Sequence, residues 1–123
     1  QLFMQMTFNV AASNRDDHTK NFSFIMNPAG KWALSPAYDL TFPFDPHQSF
    51  VIPHKISINK KTKDITRKEL EAVAKKAGSR NYKHIIENVI EQVASFETRI
   101  KQYDLNKKTV QLILKDLEKN NLK

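Results

Sequence analysis

The sequence predicts a mainly α-helical domain interrupted by one small β-hairpin. Three observations carry this. Apolar residues recur at helical spacing in four segments, two short apolar runs flank Asn27-Pro28-Ala29-Gly30, and 123 residues suit a single domain.

Phe3, Met6, Thr7 and Val10 fall at i, i+3, i+4 and i+7, and Leu2, Met4 and Phe8 add apolar bulk on the other sides. That pattern predicts a helix buried on most of its surface. It starts at Gln1 with no cap and no initiator methionine, which suggests a chain cut from something longer. The polar run from Ser13 to Asn21 reads as a loop. Phe22–Met26 and Lys31–Ser35 read as strands around a turn with proline and glycine chemistry. Pro36 ends the second strand, and the stretch from Thr41 to Pro53, with three prolines and three phenylalanines, reads as a long, partly packed loop.

Thr66-Arg67-Lys68-Glu69 has capping-box spacing, followed by an apolar face of Leu70, Val73, Ala74 and Ala77 and a stop at Gly78. Tyr82, Ile86, Val89, Val93, Phe96, Ile100 and Tyr103 alternate in steps of four and three, predicting one 22-residue helix with that stripe against the core. Asn106 is placed to cap a last helix whose face is Val110, Ile113, Leu114 and Leu117.

Composition excludes whole classes. At 40% apolar and 27% charged residues the chain is neither disordered nor of low complexity. No apolar run approaches membrane-spanning length, and no basic-then-apolar leader is present. The absence of cysteine removes disulfide frameworks, thiol nucleophiles and thiolate zinc sites, and fits a cytoplasmic protein. With only Gly30 and Gly78, no glycine-rich loop can cradle a phosphate, so any phosphate clamp must come from another segment.

The net charge of +7 is uneven. Residues 1–54 carry three basic and four acidic side chains, and residues 55–123 carry seventeen and nine. Lys75, Lys76, Arg80 and Lys83 cluster around one helix junction, a surface suited to nucleic acid or an acidic protein and equally to solvent.

The chemistry concentrates around the hairpin. Asp16 and Asn21 are five positions apart in a loop after a buried helix, and Asp39 follows the second strand. Protein kinases place a catalytic aspartate and a metal-binding asparagine at this Asp-x-x-x-x-Asn spacing, with a second metal-binding aspartate beyond a hairpin. Phosphoryl transfer needs a carboxylate beside the acceptor hydroxyl and oxygen ligands for Mg²⁺. The spacing alone also admits hydrogen-bonded turns at Asp16, Asp17 and Asn21 and a cap at Asp39. A hydrolase site built from Asp16, Asp17 and His18 is a further reading. His47 and His54 read as ordinary loop residues.

The text from Asn14 to Ser23, Asn-Arg-Asp-Asp-His-Thr-Lys-Asn-Phe-Ser, resembles the Asp-x-His-x-Lys-Asn signature of the HipA-like serine/threonine kinases. Leu34-Ser35-Pro36-Ala37-Tyr38-Asp39-Leu40 is similar to their metal-binding segment, and His54–Asn59 and Asp64–Arg67 resemble later blocks. Lys60 departs from the pattern, standing where glycine would follow Asn59.

The resemblance implies that residues 1–123 are the helical C-terminal lobe of a protein-kinase-like fold, with a hairpin that carries metal-binding residues. Asp16 would be the catalytic base. Asn21 and Asp39 would hold Mg²⁺ on ATP, with His18 and Lys20 beside the nucleotide or substrate. The implied partners are an N-terminal kinase lobe and a HipB-like helix-turn-helix antitoxin. Operator DNA, met through Lys75, Lys76, Arg80 and Lys83, and a protein substrate such as an aminoacyl-tRNA synthetase complete the set. The alternative is a noncatalytic module that binds antitoxin or DNA through its basic helices.

Overall fold

The helical spacing at the start of the chain folds as α1 (Leu2–Ala11) in the computed structural model, which describes residues 1–43, 52–120 and 122. A 3-10 turn (Thr19–Asn21) follows, then β1 (Phe24–Met26), β2 (Trp32–Leu34), α2 (Arg67–Lys76), α3 (Tyr82–Ala94), α4 (Phe96–Ile100) and α5 (Lys107–Lys119). The mainly α expectation with one antiparallel hairpin holds. Most of the stretch expected to be a long loop, His47 included, lies outside the described residues.

Helix α1 packs most extensively on α3. Val10, Ala11, Leu70, Ile86 and Val89 form the centre of the core, joined by Ile58, Ile65 and Leu122 from the connecting segments. Helix α1 is buried on most of its surface, as its pattern predicts, with Leu2 and Met4 as the exposed positions at 51% and 48%. The buried positions include the polar Gln5, Thr7 and Asn9. Each has a partner, as buried polar groups require. Thr7 Oγ1 donates to the Phe3 carbonyl at 2.8 Å, Gln5 Nε2 to the Asn21 carbonyl at 3.4 Å, and Asn9 Oδ1 accepts from Asn14 Nδ2 at 3.1 Å. One face of α1 therefore holds the following loop as well as the core.

The end of α1 is a Schellman motif, with Ser13 N–H donating to Val10 and Asn14 N–H to Asn9. Ser13, not glycine, occupies its left-handed position at φ 55°. Helix α2 ends the same way at Gly78, φ 68°, with Gly78 N–H donating to Lys75 and Ser79 N–H to Ala74.

The long helix expected over Tyr82–Tyr103 is broken at Ser95. Its hydroxyl donates to the Gln92 carbonyl at 2.7 Å, and the Arg99 guanidinium reaches the same oxygen at 2.6 Å. Serine that bonds back to the preceding turn bends helices. The apolar stripe consequently runs out before its end, and Tyr103 is 65% exposed.

At α2 the Glu69 carboxylate accepts from the Thr66 N–H at 2.8 Å and the Thr66 hydroxyl at 2.5 Å, the reach-back half of the expected capping box. Lys61 Nζ lies 2.8 Å from its other oxygen. The Lys61 ammonium first, and the two Thr66 donors after it, hold the carboxyl at about 2, against 4.5 for an unperturbed group. A depressed carboxyl contributes stability above its unfolded value and loses it as pH falls through the folded one. Thermal unfolding followed from pH 7 to 2 is expected to show that loss between about 4.5 and about 2. Glu69→Gln is expected to lower Tm near neutral pH and to flatten that interval. A variant whose acid profile matches the wild type would remove Glu69 from the account.

Between Ile58 and Lys61 the backbone exchanges two hydrogen bonds, 2.8 and 3.0 Å long, around Asn59 and Lys60. Their φ values of 49° and 68° follow a type I′ turn, which favours Asn-Gly. Lys60 thus keeps the turn that a glycine would make, at a steric cost. Its side chain is exposed, so Lys60→Gly is expected to raise stability by about 1 kcal/mol. A urea midpoint at or below the wild-type value would contradict this.

Candidate active site

The loop after α1 is tied down by α5 and its C-cap. Asn120 Nδ2 donates to Ser13 Oγ at 2.5 Å and to the Val10 carbonyl at 3.1 Å, and Arg15 Nη2 meets Asp116 Oδ2 at 2.8 Å. Helix α5 and its C-cap therefore grip the residues that lead into Asp16.

Asp16 and Asp17 have opposite fates. Asp17 is fully buried and accepts from His54 Nδ1 at 2.8 Å, Lys55 N–H at 2.8 Å and Ile56 N–H at 3.4 Å. Its carboxylate is committed to pinning the chain around His54, which takes it out of any hydrolase site. His54 is accordingly no ordinary loop residue but a buried partner, 8% exposed. Asp16 is half-buried, and no donor reaches its carboxylate among the described residues.

The hairpin brings in the third group. Its ladder pairs Phe24 with Leu34 and Met26 with Trp32, and Ser35 N–H extends it to the Ser23 carbonyl at 2.8 Å. Past the strand, the Tyr38 hydroxyl donates to the Lys20 carbonyl at 2.7 Å and lies 2.5 Å from Ser23 Oγ. Asn14 Nδ2 reaches the Asp39 carbonyl at 3.4 Å. These bonds seat Asp39, in a left-handed conformation with φ 53°, beside the loop. One donor atom each from Asp16, His18 and Asp39 lies within 4.8 Å of the others.

Asn21 is buried, its Nδ2 donating to the Asp16 carbonyl at 3.0 Å. That bond orients the amide and leaves Oδ1 as the atom able to meet a cation. Lys20 takes part through its main-chain carbonyl, and its side chain is exposed. Lys75, Lys76, Arg80 and Lys83 are exposed around the α2–α3 junction, and Lys75 Nζ is 3.9 Å from Glu71. They are not part of the carboxylate cluster. At the same junction Arg67 ties α2 to α3, with Nη2 2.6 Å from Glu87 and Nε 3.0 Å from Glu71; Glu87 and then Glu71 raise its pKa.

Tyr38, Asn14 and the Arg15–Asp116 pair also build the site, and no local sequence pattern singles them out. Tyr38 stood next to Asp39 and Asn14 within the signature, but only the folded hairpin shows what they hold.

The HipA-like C-terminal domain family matches residues 1–97. The chain belongs to that family. No curated protein and no solved structure matches it. The HipA-like family is associated with serine/threonine kinase toxins, and its match covers Asp16, His18, Asn21 and Asp39 and ends before α5. Among the described residues, no helix is long and apolar enough to cross a membrane.

Proposed function

We propose that this HipA-like domain is the catalytic lobe of a serine/threonine protein kinase that transfers the γ-phosphoryl group of Mg·ATP to a protein hydroxyl. The observation that carries the reading is the meeting of the Asp16 and Asp39 carboxylates at the mouth of the hairpin. Asp16, free of protein donors among the described residues, takes the proton of the acceptor hydroxyl and aims its oxygen at phosphorus. Asp39 and Asn21 Oδ1 offer the oxygen ligands that magnesium prefers. Magnesium, when bound, neutralises charge on the phosphates. The bond from Asn21 Nδ2 to the Asp16 carbonyl leaves Oδ1 for the cation, and Tyr38 keeps the Asp39 segment against Lys20 and Ser23.

Two glycines cannot make a phosphate cradle, so the domain works with a second lobe that supplies the clamp. Phe24, Ile25, Met26 and Trp32 are all more than half exposed on the hairpin next to the site, apolar surface that such a lobe would cover. An antitoxin of the HipB type, and operator DNA through it, would use the exposed cations of the α2–α3 junction. The substrate class, a translation enzyme such as an aminoacyl-tRNA synthetase, follows from the family resemblance.

Phosphotransfer from Mg·ATP, measured with the parent protein that includes the clamp-bearing lobe, tests the reading. Transfer to protein hydroxyls is expected there, and none from residues 1–123 alone. A folded parent that never transfers phosphate would turn attention to the basic helices.

A further inference from the structure

His18 is the member of the cluster that magnesium chemistry does not use. Its Nδ1 is buried and has no hydrogen-bond partner among the described residues, an exceptional state for a buried polar atom. The backbone at His18 is extended (φ −65°, ψ 161°), just before the 3-10 turn that carries Asn21. Its ring contributes a donor atom within 4.8 Å of both Asp16 and Asp39. Two carboxylates and one imidazole form a nitrogen–oxygen set, whereas magnesium takes oxygen and water. Imidazole favours zinc and the later transition metals.

A tetrahedral ion ~2.1 Å from each donor spaces the donors ~3.4 Å apart. Since the donors already lie within 4.8 Å of one another, they need to close by at most about 1.4 Å, and exposed Asp39 has the freedom to supply that movement.

We propose that Asp16, His18 and Asp39 bind a divalent transition cation, Zn²⁺ or Mn²⁺, in the absence of nucleotide. This set differs from the Asn21–Asp39 pair assigned to Mg·ATP, because His18 and Asp16 replace Asn21. Its catalytic consequence rests on the kinase reading. A carboxylate that ligates a cation is a much weaker base, so the bound metal suppresses proton transfer to Asp16.

The test uses metal alone. Calorimetric titration of the nucleotide-free protein with ZnCl₂ is expected to show one site. His18→Ala and Asp39→Ala are each expected to weaken it by about 10-fold or more, and Asn21→Ala to leave it unchanged. With Mn²⁺, electron spin-echo modulation is expected to report one imidazole nitrogen that disappears in His18→Ala. Zinc affinity unaltered by His18→Ala, or bound manganese without nitrogen coupling, would overturn the proposal. Should His18→Ala fail to fold, the echo experiment on a His47→Ala/His84→Ala protein still decides, since His54 is committed to Asp17. Binding is read without phosphotransfer, so an inactive parent would count against the kinase and not against this site.

Discussion

Asp17→Ala is expected to destabilise the fold by about 3–5 kcal/mol, a large part of what a domain of this size possesses. The substitution removes an acceptor that sits at zero exposure and strands three donors, His54 Nδ1 and the N–H groups of Lys55 and Ile56. Buried donors without acceptors carry their full desolvation cost. Because Asp17 joins the loop after α1 to a segment nearly forty residues later, its loss also releases Ile56 and Ile58 from the core edge. Asp17→Asn keeps one acceptor oxygen and is expected to cost less, about 1–3 kcal/mol. Urea unfolding measures both. Asp17→Ala unfolding at the wild-type midpoint would mean that this carboxylate holds nothing.

The contrast between these neighbouring aspartates marks the limit of what the sequence could say. Local chemistry was legible. The Asn27–Gly30 turn, the Glu69 reach-back at Thr66, the Asn106 cap and the Gly78 stop each depend on residues a few positions apart, and each is found. The candidate base and Asp39 were legible too, because their order around a hairpin is a spacing pattern. Burial was not legible. Nothing local distinguishes Asp17, whose partners lie at His54–Ile56, from Asp16, and nothing local announces that Gln5 and Asn9 point at a loop. The break at Ser95 depends on a hydroxyl choosing a carbonyl over solvent, and it overrode an uninterrupted apolar stripe. Arg15 and Asp116 meet across 101 positions. That pair links the loop that carries Asp16 to a helix beyond the family match, a relation only the folded chain can supply.

Asp16→Asn in the two-lobed parent is expected to lower kcat by about 10²–10⁴-fold, the range for losing a general base. ATP affinity is expected to stay within about 3-fold, since in the proposed kinase the carboxylate would face the acceptor hydroxyl and not the nucleotide. The protein should remain as stable as the wild type, because no donor among the described residues reaches the Asp16 side chain and the carbonyl that accepts from Asn21 is main chain. Asp39→Ala removes the proposed ligand to the cation and is expected to weaken Mg·ATP binding as well as turnover. The two variants therefore separate a group acting on the acceptor from one acting on the nucleotide, and measured ATP affinity is the quantity that splits them. Stability keeps Asp16 apart from its neighbour, because Asp17→Ala loses activity by unfolding whereas Asp16→Asn loses it while folded. If both site variants lost ATP affinity equally, Asp16 would have to be moved from the acceptor side to the nucleotide side. The base would then have to be sought among other groups at the mouth of the hairpin.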